Sequence, residues 1–176
     1  GNLIKCNPSI KTNEDRLALW AALYEDRIDT IATDHAPHSL ASKQQPYFSA
    51  PSGIPSIQHS LQMMLEPLSN PSIPPQQRIE LHSSYLPLLV QKMCHNPATI
   101  FGIHQRGYIR PGYHADLVIA QLDTQYNVTS SNLLYKCAWS PLLGKTLHSS
   151  ILHVFINGTL VTPNTPSAAQ PLQFVK

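Results

Sequence analysis

The sequence predicts an α/β region followed by an all-β one, with the change of character near residue 105. Three observations carry this. Residues 1–33 read strand, helix, strand, the order of a parallel α/β unit. Helical spacing recurs up to residue 102 and disappears after Gly107. Ser149 to Val161 reads as two strands joined at Asn157-Gly158, the strongest short hairpin signal in the chain.

Taken in order, Asn2 to Pro8 reads as a short strand running into a proline-marked loop. Thr12-Asn13-Glu14-Asp15 has the capping-box pattern, a hydroxyl followed three places later by an acid. The helix it opens puts Leu17, Trp20 and Tyr24 on one face with Leu19 and Leu23 beside them, and Asp26 and Arg27 close it. Ile28 to Thr33 reads as a buried strand rich in β-branched residues. Residues 39–53 read as a loop. Ile57, Leu61, Met64, Leu65 and Leu68 recur at helical spacing, and the methionine pair there reads as core filling. Residues 69–77 are a proline-rich connection. A helix is expected over Leu86 to His95 with Pro87 in its first turn, broken by Asn96-Pro97 and followed by a short helix to Gly102. A strand over Asp116 to Leu122 and the hairpin follow, then an irregular tail over 162–171.

Composition excludes several classes. Hydrophobic residues make up 42% and charged residues 12%, enough apolar character for a packed core. The net charge of +2 comes without a block of Lys or Arg, so no nucleic-acid footprint is expected. No apolar run approaches the ~20 residues a membrane span needs, and nothing at the start resembles a signal peptide. The three cysteines, Cys6, Cys94 and Cys137, are far apart and odd in number, which argues against a disulfide framework and fits a reducing cytoplasm. Cys137 is expected to be a buried, inert thiol. The 16 prolines are about twice the ordinary share of about 5% and gather in loops.

The chemistry concentrates in Thr33-Asp34-His35-Ala36-Pro37-His38. Asp34 sits just past a predicted parallel strand. In an α/β barrel that end opens onto the site, and a carboxylate there can ligate a metal and shuttle a proton. His38 can offer an imidazole to an anion. The same spacing is equally an acidic helix cap beside two structural histidines, and the residues alone leave both open.

The segment ATDHAPH resembles the signature of the dihydroorotases. KCNPSIKTNEDRLALWAALYEDRIDTIATDHAPH, YFSAPSGIPSIQHSLQMML, NPATIFGI and GYIRPGYHADLVI resemble successive blocks of that family over roughly residues 3–161. The resemblance implies the C-terminal part of a (β/α)₈ TIM-type barrel over 1–105, and strands of a small β-sandwich domain with a tail over 106–176. It implies a zinc-dependent cyclic amidohydrolase that interconverts N-carbamoyl-L-aspartate and L-dihydroorotate, with two Zn²⁺ in a complete site. By position, Asp34 matches the metal-ligating carboxylate and proton carrier, His38 the histidine on the substrate carboxylate, and Asn7 a substrate-contacting asparagine. Pro51 and Gly53 match the turn whose backbone flanks the ring. His35 is assigned to support, and His59, His82, His95, His104, His114, His148 and His153 show no ligand spacing.

Ser9 and Lys11 depart from the family's pattern after Asn7. The sequence also has no HxH pair, and one carboxylate cannot hold a catalytic zinc, which takes about three protein ligands. The chain is therefore expected to be a fragment or one piece of a split enzyme, inactive alone, whose partner is the N-terminal part of the same barrel. The resemblance also admits a homodimer. Two alternatives stand beside it: an allantoinase or dihydropyrimidinase, and a non-catalytic dihydroorotase-like scaffold subunit.

Overall fold

The computed structural model describes residues 1–162 and 169–175; the part of the expected irregular tail over 163–168 lies outside the described residues. Asn2–Ile4 forms a 3₁₀ turn rather than the expected strand. Local bonds explain this, since Ile4 N–H donates to Gly1 O at 3.2 Å and Lys5 N–H to Asn2 O at 3.1 Å. The capping box at Thr12 forms as the sequence predicts. Asp15 N–H donates to the Thr12 hydroxyl at 3.2 Å, and Thr12 N–H to the Asp15 carboxylate at 3.0 Å. These bonds open α1, Asn13–Tyr24, which ends before Asp26 at a φ of 60°. Its apolar face is less buried than its spacing suggests. Only Leu23 is buried, and Leu17, Leu19 and Tyr24 are exposed. Trp20 and Tyr24 lie against the ring of Tyr85.

Residues 28–33 form neither a helix nor a strand ladder, and none of them is fully buried, so the expected buried strand is not formed among the described residues. The segment is held by single bonds: Ile31 N–H to Lys92 O at 3.1 Å, Asn96 Nδ2 to Asp29 O at 2.7 Å, and the Ser56 hydroxyl to Thr33 O at 2.6 Å. Just beyond it, His35 and Ile54 form a parallel bridge. The expected loop over 39–53 holds one short helix, α2, Leu40–Lys43.

Helix α3, Ser60–Ser69, supplies Leu65 and Leu68 to the core, where they meet Tyr85 and Leu89. Met64 packs against this cluster, whereas Met63 is exposed, so only one of the methionine pair fills the core. Tyr85 Oη donates to Met64 O at 2.7 Å, and burial pushes its phenol well up, Tyr24 adding to the shift. Helix α4, Pro75–Val90, starts earlier than expected because Pro75 occupies the first turn, where a missing N–H costs nothing. Pro87 therefore lies inside it. The chain does not break at Asn96-Pro97. A π turn over Gln91–His95 lets Asn96 N–H reach Gln91 O and leads directly into α5, Asn96–Ile100. Pro97 has no N–H to place, so the helical path tolerates it. Lys92 in that turn is wholly buried and pairs with Asp26.

The three strands form one antiparallel sheet in the order β1-β2-β3: Leu117–Asn127, Thr146–Ile156 and Thr159–Leu160. The hairpin closes at Asn157-Gly158, with φ of 50° and 79°, the two positive values a tight two-residue turn needs. Helix α3 docks on β2 through polar ties. Gln62 Nε2 donates to Ser149 O at 2.7 Å, and the Glu66 carboxylate takes His148 N–H at 2.7 Å and lies 2.9 Å from its Nδ1. This packing sets the start of α3, and with it residues 54–59, beside the Asp34–His38 loop.

Candidate active site

Asp34 follows residues 28–33 with a φ of 44°, a left-handed conformation that acidic residues tolerate better than most. Its side chain is exposed and makes no hydrogen bond or ion pair to the described residues. The next residue is fixed firmly. His35 Nδ1 accepts from Ser56 N–H at 3.1 Å and from Ile57 N–H at 3.4 Å, so the ring is neutral with its proton on Nε2. Its face stacks on Tyr135, with ring centroids 5.6 Å apart.

His38 is half-buried. Its Nε2 lies 2.9 Å from Ser52 O, and a carbonyl only accepts, so Nε2 carries a proton. Its own carbonyl accepts from Trp139 Nε1 at 2.7 Å. The Pro51–Gly53 turn comes equally close on the other side. Gly53 has a φ of 125°, and a Cβ built there would meet Ala36 O at 2.5 Å and His38 Cδ2 at 3.2 Å. Only glycine allows this approach. Gly53 N–H also donates to Lys5 O at 2.8 Å, which ties the turn to the loop that carries Asn7. Asn7 itself is exposed.

Thus His38, Pro51 and Gly53 form one cluster, while Asp34 and Asn7 stand exposed on the loops that flank it. A hollow of about 470 Å³ opens between the Asp34–His38 loop and a distant segment; His35, His38, Ile57, Tyr135, Lys136 and Cys137 line it. Sequence reasoning missed the 134–139 wall. Its only signal was the cluster Tyr135-Lys136-Cys137-Ala138-Trp139, rich in aromatic and reactive side chains. Tyr135 is buried, its oxygen accepts from Gln58 N–H at 2.9 Å, and burial pushes its phenol up. Cys137 is half-buried rather than buried, because it borders this hollow. Lys43, also missed, is wholly buried behind the Pro51–Gly53 turn.

A metal is a separate matter. Among the described residues no group of three His, Cys, Asp or Glu side chains is placed to hold an ion. Asp34 is a single open donor, so these residues do not by themselves fit a catalytic zinc.

An open carboxylate just before a parallel bridge is the kind of group that the mouth of an α/β barrel presents, and the comparisons define the class. The Amidohydrolase family matches residues 5–161 of this chain. A dihydroorotase of Clostridium acetobutylicum is 32% identical over 161 residues, which are 92% of this chain and 35% of that protein. An allantoinase of Salmonella paratyphi B is 29% identical over 161 residues, 92% of this chain and 33% of that protein. Among solved structures, an L-hydantoinase (dihydropyrimidinase) from Arthrobacter aurescens superposes with a TM-score of 0.77 at 29% identity, covering 97% of this chain and 36% of that one. The chain belongs to the amidohydrolase family, and its fold is part of that family's (β/α)₈ barrel with strands of a small β domain. It spans about a third of the length of the relatives it matches. No helix among the described residues is long and apolar enough to cross a membrane.

Proposed function

We propose that the protein carrying this chain is a dihydroorotase, which reversibly closes N-carbamoyl-L-aspartate to L-dihydroorotate in pyrimidine synthesis. The observation that carries the reading is His38, an N–H-bearing imidazole set against the Ser52–Gly53 turn on the wall of the hollow. A ring carboxylate gives such a group a purpose that a neutral cyclic amide does not. The 32% identity to a dihydroorotase supports the same reading.

In the ring-opening direction, water attacks the ring carbonyl, the C–N bond breaks and the nitrogen leaves with a proton. Asp34 takes the proton from the attacking water and returns it to that nitrogen, a task its open carboxylate suits. His38 and Asn7 hold the substrate carboxylate, and the backbone of Pro51 and Gly53 flanks the ring. Asp34, together with ligands from the rest of the barrel, would hold a zinc that would activate the water and polarise the carbonyl. Residues 1–105 are the barrel part and 106–176 the small β domain and tail.

The test is turnover by the full-length protein on dihydroorotate, allantoin, hydantoin and dihydrouracil. Preference for dihydroorotate is expected. Turnover of the neutral rings alone would replace this reading with the allantoinase or hydantoinase one, which the 29% identities to both classes keep in play. A metal-loaded protein inert on all four would favour the scaffold subunit.

A further inference from the structure

Lys43 has no place in the reading above, yet its surroundings are unusual. Its side chain is wholly buried. A buried ammonium ordinarily pairs with a carboxylate, because leaving it unpaired is costly. Here the partners are three backbone carbonyls instead. Nζ donates to Gly53 O at 2.9 Å, to Pro51 O at 3.0 Å and to Lys5 O at 3.2 Å. No ion pair to Lys43 forms among the described residues.

Those carbonyls are not scattered. Pro51 and Gly53 flank Ser52 in the chain. While the two outer carbonyls accept from Nζ, the Ser52 carbonyl between them lies 2.9 Å from His38 Nε2. The third carbonyl, Lys5 O, also takes Gly53 N–H at 2.8 Å, so the loop leading to Asn7 is bound into the same knot. The Trp139 ring lies 6.0 Å from Nζ, and its Nε1–H donates to His38 O. Two routes therefore lead from Lys43 to His38, one through the turn and one along the indole.

We propose that Lys43 is a positioning residue for the active site: from behind the Pro51–Gly53 turn it orients the Ser52 carbonyl, and through it the imidazole of His38. The inference rests on the reading proposed above, in which His38 binds the substrate carboxylate.

A double-mutant cycle in the full-length protein, measured on dihydroorotate, and NMR of the substrate-free protein test it. A parent that turns over only the neutral rings would sink the dihydroorotase reading, while the NMR of the substrate-free protein would still decide whether Lys43 orients His38. Lys43→Met keeps the length of the chain and removes all three donors. It should lower kcat/KM roughly tenfold in the parent, on the scale of one lost charged hydrogen bond, and by less than about threefold in a His38→Ala background. Metal content should not change. Equal losses in both backgrounds would make Lys43 merely structural and overturn the proposal. ¹⁵N NMR of His38 gives a readout independent of turnover. The parent ring should show a fixed Nε2–H, and the Lys43→Met ring should average between tautomers; a ring unchanged by the substitution also overturns it. Should Lys43→Met fail to fold, Lys43→Gln, which retains two N–H donors but no charge, takes its place in both measurements.

Discussion

His38 Nε2 donates to the carbonyl oxygen of Ser52 across 2.9 Å, and this fixes what the ring can do for a substrate. A carboxylate, like a carbonyl, only accepts. The ring meets it through Nδ1–H when doubly protonated, or through Nε2 after leaving Ser52. Either way, the interaction is with a charge remote from the scissile bond.

His38→Ala should therefore be selective. A hydrogen bond to a charged group contributes about 1.5–3 kcal/mol, so kcat/KM on dihydroorotate should fall roughly 10- to 150-fold. Hydrolysis of dihydrouracil, which has no carboxylate, should hardly change, and bound zinc should stay at the parent level. Equal losses on both substrates, or less zinc, would show that His38 is structural or a ligand.

Asp34→Ala should nearly abolish turnover in the full-length protein. General acid–base catalysis alone is typically worth ~10²–10⁴-fold, and on the proposed reading the substitution also removes a metal ligand. The carboxylate makes no hydrogen bond to the described residues, so the fold should not suffer. A melting temperature close to the parent's, with activity below about a tenth, is the expected pair of readings. Retained activity would take the role from Asp34.

Gly53→Ala should disturb the site by contact rather than by chemistry. The new Cβ falls 2.5 Å from Ala36 O and 2.7 Å from Ala36 Cβ, and the φ of 125° is strained for any L side chain. Backbone strain of this kind costs about 1–3 kcal/mol, visible as a lower melting temperature. The turn must move away from Ala36 and His38, so KM should rise as well. An unchanged KM would mean that the turn does not border the substrate.

What was legible in the sequence was local. The Thr12 capping box and the Asn157-Gly158 turn depend on bonds between near neighbours, and both form where the residues place them. The parts that were not legible depend on what lies across space. Leu17 and Leu19 lie in an apolar helical pattern but stay exposed among the described residues. The π turn over Gln91–His95 replaces the break that Asn96-Pro97 suggested. In the site, the ATDHAPH run was visible as a motif, whereas Lys43 gains its place from carbonyls 8, 10 and 38 residues away in sequence and Tyr135 from a contact 77 residues away. A lysine in a short polar helix looks like surface until the carbonyls around it are seen.

The chain on its own should aggregate. Its buried core cluster is small, with Leu65, Leu68, Tyr85 and Leu89 at its centre, while Phe48, Ile109 and Leu134 are 97%, 89% and 80% exposed. Strand β1 also forms one edge of its sheet, an invitation to pair with another chain. Analytical ultracentrifugation of the purified 176 residues should show large species with no cooperative thermal transition. A monomer that melts cooperatively would contradict this.

The last prediction concerns pH and His59, at the entrance to α3. The residue is 1% exposed, and neither ring nitrogen has a hydrogen-bond partner among the described residues. Its neighbours are the rings of Tyr126 and Tyr135, 5.9 and 6.0 Å away, neither of which supplies a negative charge near neutral pH. Burial therefore holds the imidazole neutral and pushes its pKa below the ordinary value of about 6.5. The sign follows from proton counting. Below about pH 6.5 the unfolded chain binds a proton at this position and the folded one does not, so stability falls as pH falls through that range. The effect should reach the site, because Gln58 beside His59 bonds Tyr135, and Ser56 and Ile57 hold His35. Melting temperatures of the full-length protein at pH 7 and pH 5 should therefore differ more for the parent than for His59→Phe, which fills the same space without titrating. If the two proteins lose the same amount on acidification, His59 is not held neutral by its burial, and another group governs the acid sensitivity.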